Sequence, residues 1–256
     1  MKRVVLLGGL DPSGGAGITV DATVAALHGV APLPVALTTT IQGAAGFHDA
    51  EPVRSEVWRR QLEVVLADGP VAAFKVGYIG SAHVVVEVAR ALRESAGRAP
   101  VVVDPVLSAT AGGMETGAAL AAAYCEHLAP VAALVTPNVP ELESLVLGRP
   151  ERLLAAGAAA VLTKGGHGAG ENAVDELSSA GVALRFVRPH RDCGPVRGTG
   201  CALASAIAAR LALGDPLRDA CERAGDWLAS LLAHVAPRRD RSPQPLPFSR
   251  AGTAPR

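Results

Sequence analysis

The chain has 256 residues, 49 % of them apolar, which is ample for a packed core and excludes wholesale disorder. Its 24 basic and 24 acidic residues cancel, so no global field attracts nucleic acid or an anionic membrane. The 4 cysteines show no CxxC spacing, which argues against a disulfide scaffold or a structural zinc site, and no apolar run reaches the roughly 18 residues of a membrane helix. Met1-Lys2-Arg3 followed by Val4–Leu7 superficially has the form of a secretory signal. The apolar stretch is too short and runs straight into Gly8-Gly9, so a first strand of a cytoplasmic protein is expected instead.

Val4–Leu7 is a continuous aliphatic run and predicts a strand buried on both faces. A glycine-rich loop follows, then a helix from about Ala16 to His28. Val35–Thr40 predicts a strand, Gln42–Phe47 a Gly/Ala-rich loop, and Ser55–Leu66 an amphipathic helix. The alternation continues with strands at Ala73–Val76, Val101–Val103, Ala133–Thr136 and Ala159–Thr163. Helices are expected between them at His83–Glu94, Gly117–His127 and Glu141–Leu147. Val174–Leu177 and Val182–Val187 suit an antiparallel pair, and two helices follow, one from near Gly200 and one over Pro216–Val235. Strand–helix alternation implies an α/β fold with a mostly parallel sheet, in one domain over residues 1–236. The tail, 237–256, is rich in Pro, Arg and Ser and is expected to be disordered.

Asp104, Asn138 and Lys164 all stand at the carboxyl ends of predicted parallel strands, the edge at which open α/β sheets bind ligands. Arg197-Gly198-Thr199-Gly200-Cys201 opens a helix, where free N–H groups and the helix dipole favour an anion. Cys201 falls in the first turn, so its pKa is expected to fall. A plain loop-to-helix junction with an inert thiol is the competing reading. Gly8-Gly9-Leu10-Asp11-Pro12-Ser13-Gly14-Gly15-Ala16-Gly17 has neither GxGxxG nor Walker A spacing, but its glycines allow close ligand approach. Asp104 with Asn138 and Glu141 suits Mg²⁺, although each acid alone suits a helix cap. Lys164 beside Gly165-Gly166 suits a phosphate in a chain whose only lysines are Lys2, Lys75 and Lys164.

These motifs, in this order from Val4 to about Val235, resemble the ribokinase-like superfamily. More narrowly they resemble the hydroxymethylpyrimidine/phosphomethylpyrimidine kinases of thiamine biosynthesis. Asp11-Pro12-Ser13-Gly14-Gly15-Ala16-Gly17 with Asp21 carries most of that resemblance, joined by Lys75-Val76-Gly77, Asp104-Pro105-Val106, Thr136-Pro137-Asn138, Lys164-Gly165-Gly166-His167 and Gly198-Thr199-Gly200-Cys201. The resemblance implies a three-layer α/β/α sandwich. It implies transfer of the ATP γ-phosphoryl group to a hydroxymethylpyrimidine and then to its monophosphate, with Mg²⁺, room for a monovalent cation, and a homodimer.

By the same resemblance, Gly198, Thr199, Gly200 and Cys201 line an anion hole and Cys201 is the base. Lys164 contacts ATP phosphates, and Asp104 and Glu141 organise Mg²⁺ with Asn138 in its outer shell. Asp21 and Gln42 hydrogen-bond the aminopyrimidine, and Gly9, Ala16, Tyr78 and Val106 pack around its ring. Gly43, Tyr78 and Arg197 stand where the family more often has Asn, Met and His, and the tail departs from the family's usual ending. Pyridoxal kinase is the nearest alternative. A Cys201-dependent hydrolase and a silent ligand-binding module are the remote ones.

Overall fold

Aliphatic runs without polar alternation build the centre of the molecule. In β1 (Arg3–Leu10) every residue from Val4 to Gly9 is buried. Its side chains part by twos: Val5 and Leu7 join one hydrophobic cluster, Val4 and Leu6 the other. The computed structural model describes residues 1–43, 46–107, 117–166, 170–240 and 242–251.

The further strands are β2 (Ala31–Gly43), β3 (Gly46–Pro52), β4 (Ala73–Val76), β5 (Val101–Val103), β6 (Leu134–Val135), β7 (Ala160–Thr163), β8 (Asn172–Ser179) and β9 (Val182–Pro189). They form one sheet in the order β3-β2-β1-β4-β5-β6-β7-β8-β9. The six strands from β2 to β7 in that order run parallel, while β3, β8 and β9 pair antiparallel. Helices α2 (Ser55–Ala67), α3 (Ala82–Ser95), α4 (Ala118–Ala123), α5 (Val139–Val146) and α6 (Pro150–Ala155) cover one face, through Trp58, Val88, Leu120, Leu142 and Leu153. Helices α1 (Gly17–Leu27), α7 (Thr199–Leu213) and α8 (Leu217–Leu232) cover the other, through Val24, Ile207 and Ala224. The result is the expected α/β/α sandwich.

Three expectations change. The loop expected over Gln42–Phe47 is mostly hairpin, because β2 runs on to Gly43 and pairs Gln42 with Phe47; Ala44 and Ala45 lie outside the described residues. The helix expected over Gly117–His127 is split, with a π-helical turn at Tyr124–Leu128 after α4. The tail is not disordered as far as it is described. Two residues, β11 (Gln244–Pro245), pair in parallel with β10 (Val196–Arg197), and Leu246 is buried in the core.

His28 closes α1 and meets Trp227 edge to face, with ring centroids 4.8 Å apart. Neither ring nitrogen has a hydrogen-bond partner, and burial, with the Arg210 charge added, lowers its pKa from 6.5 to about 4. The unfolded ring takes a proton near 6.5 and the folded ring only near 4, so the contribution is whole above pH 6.5 and is lost as pH falls toward 4. We expect about 3 kcal/mol of unfolding free energy to disappear across that window, and His28→Phe to lack this component. Urea titrations of both proteins at neutral and mildly acid pH check it.

Candidate active site

The parallel strands deliver their last residues to one edge. Lys164 follows β7, Asp104 follows β5, and Asn138 follows β6; Asn138 and Lys164 sit side by side in a parallel bridge that extends the β6–β7 ladder. Lys164 Nζ donates to Asp104 Oδ1 at 2.7 Å and lies 3.8 Å from Glu141 Oε2. Thr136 Oγ1 donates to the same Asp104 oxygen at 3.3 Å. Asp104 Oδ2 is buried with no hydrogen-bond partner. Burial works to raise the Asp104 carboxyl, but the Lys164 and Lys75 ammonium groups hold it below the usual carboxylate range. Burial pushes Glu141 up despite Lys164. Burial works against the Lys164 charge too, yet Asp104 and Glu141 keep its pKa above the usual lysine range.

Glu141 and Asn138 also form a helix cap. The Asn138 side chain accepts from Glu141 N, and Glu141 Oε2 accepts from Asn138 N, each at 2.8 Å, at the start of α5. The capping role and a place beside Lys164 therefore coexist in one carboxylate.

Helix α7 begins directly above this cluster. Its cap, Gly198, is left-handed with φ 77°, and a Cβ there would lie 2.5 Å from Gly15 O, so glycine is required by both backbone and space. A Cβ on Gly200 would stand 3.1 Å from Lys164 Nζ and 3.7 Å from Asp104 Oδ2. The free N–H groups of the first turn thus open beside the ammonium and the unpartnered carboxylate oxygen.

Together these groups line a cleft of about 660 Å³. Gly9, Ala16, Gln42, Tyr78 and Val106 line it from the β2-β1-β4-β5 side, and Arg188, Val196 and Leu228 from the side of β9, β10 and α8. Every residue singled out from sequence for the site reaches this cleft except Asp21. His167 lies outside the described residues.

Asp21 is fully buried. Its Oδ2 accepts from Lys75 Nζ and its Oδ1 from Ser205 Oγ, each at 2.8 Å. It does not line the cleft, and both carboxylate oxygens are engaged inside the protein, in an ion pair with Lys75 and a hydrogen bond from Ser205. Cys201 also departs from expectation: burial pushes its thiol up to about 12, against the pull of Lys75. The helix N-terminus does not overcome that desolvation.

Two features escaped the sequence. Asp175 on β8 accepts from Gly165 N at 3.1 Å and pairs with Arg188 at 3.2 Å, tying the turn after Lys164 to the β9 side of the cleft. A charged residue inside the strand Val174–Leu177 is its only signal in the sequence. Arg197 Nη2 donates to Asp11 Oδ2 at 2.8 Å and Ser13 Oγ at 3.0 Å, and its Nη1 to Gly43 O at 2.9 Å. Its donors hold the loop after β1.

Residues 11–242 match the model of a family described as phosphomethylpyrimidine kinase. A thiamine biosynthesis bifunctional protein of Geobacter sulfurreducens is 36 % identical over 91 % of the chain, which spans 50 % of that longer protein. A hydroxymethylpyrimidine/phosphomethylpyrimidine kinase of Rhizobium meliloti is 34 % identical over 89 % of each chain. Among solved structures, the pyridoxal kinase of Staphylococcus aureus in complex with AMP-PCP and pyridoxal superposes with a TM-score of 0.86 at 24 % identity, covering 97 % of this chain and 93 % of that one. At that identity the likeness bears on the fold.

Proposed function

The chain belongs to the phosphomethylpyrimidine kinase family, and from that premise we propose that it transfers the γ-phosphoryl group of ATP to 4-amino-5-hydroxymethyl-2-methylpyrimidine and then to the resulting monophosphate. The observation that carries the reading is the convergence of the α7 turn on Lys164 and Asp104, with Gly200 against both. Such transfer relies on positioning and charge neutralisation rather than on covalent help from the protein.

The α7 turn and Lys164 receive the phosphoryl group in flight. The alcohol enters from the side of Gln42, Tyr78 and Val106, and the rest of the nucleotide extends toward Arg188, the other flank of the same cleft. Among the described residues no cluster of three ligating side chains is poised for a metal. Mg²⁺ needs fewer, because it keeps waters and phosphate oxygens, and the buried, unpartnered Asp104 Oδ2 suits it. Asp104 and Glu141 would hold it with Asn138 outside them, and when bound it neutralises phosphate charge.

Cys201 is the candidate acceptor of the alcohol proton. With its thiol near 12, the working thiolate is scarce at neutral pH, so log kcat should rise by about one for each pH unit from neutral toward 10. Cys201→Ala should flatten that slope and slow turnover about 10²-fold at the alkaline end. A flat wild-type profile with an unimpaired variant would assign proton removal elsewhere. The raised thiol pKa also weighs against a Cys201-dependent hydrolase, which needs an activated thiolate.

The deciding experiment is ATP consumption with hydroxymethylpyrimidine, its monophosphate and pyridoxine. We expect the highest kcat/KM on the two pyrimidines. Preference for pyridoxine would replace this substrate by its pyridine counterpart, and no turnover on any of them would remove the kinase reading.

A further inference from the structure

The strand that leads into the anion hole stands apart from the nine-stranded sheet. Among the described residues the ladder partner of β10 is β11, near the end of the chain. Val196 pairs with Gln244 and Arg197 with Pro245, and Gln244 N donates to Pro195 O at 3.1 Å. The Gln244 amide adds two ties, from Nε2 to Cys193 O at 3.2 Å and to Ala236 O at 2.9 Å. Leu246, 5 % exposed, shares a core cluster with Cys193 and Val196, and Phe248 packs against that cluster. The family match ends at residue 242, so every one of these contacts is made by a residue beyond it to residues within it.

We propose that residues 243–251 form a strap that positions the anion-hole turn Gly198–Cys201 by holding β10. The geometry gives the strap leverage in two directions. Arg197 passes directly into Gly198, the left-handed cap of α7. Its side chain reaches Asp11, Ser13 and Gly43, on the alcohol side of the cleft. Fixing the backbone of Val196 and Arg197 therefore sets the phosphoryl-binding turn and the loop after β1 relative to each other. Gln244 and Leu246 are positioning residues in this sense and do not line the cleft. Misplacing a catalytic constellation by about 1 Å costs up to about 10²-fold in rate, so a loosened strap reads out in kcat.

The consequence for turnover rests on the kinase reading, so the test has one arm that needs no substrate. Full-length Gln244→Ala/Leu246→Ala is compared with wild type and with Leu153→Ala, a core truncation on the opposite face of the sheet. Hydrogen exchange at the Ala202 amide, which donates to Gly198 O at 2.8 Å, should quicken about tenfold in the strap variant and stay at the wild-type rate in Leu153→Ala, while exchange in β1 and β4 is unchanged in the strap variant. In the kinase assay the strap variant should lose about tenfold in kcat, with KM for ATP within about twofold, and Leu246→Met should restore it. Unaltered exchange at the Ala202 amide in the strap variant overturns the proposal, as does an equal acceleration in Leu153→Ala. Faster exchange in a protein whose wild type consumes no ATP with any of the three acceptors supports the strap and sinks the kinase reading.

Discussion

Lys75→Met should cost about 3–5 kcal/mol of unfolding free energy, a large part of what holds a domain together. Lys75 is wholly buried at the end of β4, with its ammonium 2.8 Å from Asp21 Oδ2. Burial alone works to discharge it, but Asp21, Cys201 and Asp104 keep its pKa above the usual lysine range. Burial already pushes the Asp21 carboxyl up, against Lys75 and Ser205. Without the ammonium that carboxylate has lost its counter-charge in a dry site, and methionine cannot supply one. The ion pair need not be better than an apolar pair of equal volume, so Lys75→Met/Asp21→Leu should recover most of the loss. Urea midpoints of the single and double variants decide it; a double variant no more stable than the single would mean that the uncompensated charge is not the cause.

Lys164→Met should lower kcat by about 10²- to 10³-fold, the scale on which a single preformed electrostatic contact to the transferring group acts. Its ammonium bonds Asp104 and stands 3.1 Å from where a Cβ of Gly200 would be, at the turn proposed to receive the phosphoryl group. Stability should fall as well, because Asp104 is 1 % exposed and loses its nearest cation. Asp104→Asn added to Lys164→Met should restore stability and leave kcat low. Recovery of both would reduce Lys164 to a structural counter-ion.

The parallel strands were legible because burial on both faces demands unbroken aliphatic runs, as in Val4–Leu7 and Val101–Val103. Their carboxyl ends then placed Asp104, Asn138 and Lys164 at one edge without any coordinates. The antiparallel strand β3 was missed because an edge strand such as Gly46–Pro52 can be half polar. The packing of the described part of the tail was not legible because proline-rich composition imitates disorder, while that packing rests on one buried leucine and a two-residue pairing. The ion pair of Asp21 was not legible for a different reason: its partner Lys75 is 54 residues away, and local sequence does not say which carboxylate a buried ammonium will claim. Cys201 was legible as a helix-start residue but not as a desolvated one, since desolvation is a property of everything packed around it.

The scarcity of lysine has a practical side. The α-amino group and Lys2 are open to solvent, Lys75 is sealed, and the Lys164 side chain is 10 % exposed. An amine-acylating reagent therefore has two fast targets, and the slow third increment of mass on the intact protein becomes a clock for the cleft, one that the proposed function expects to stop when a nucleotide's phosphates shield the amine.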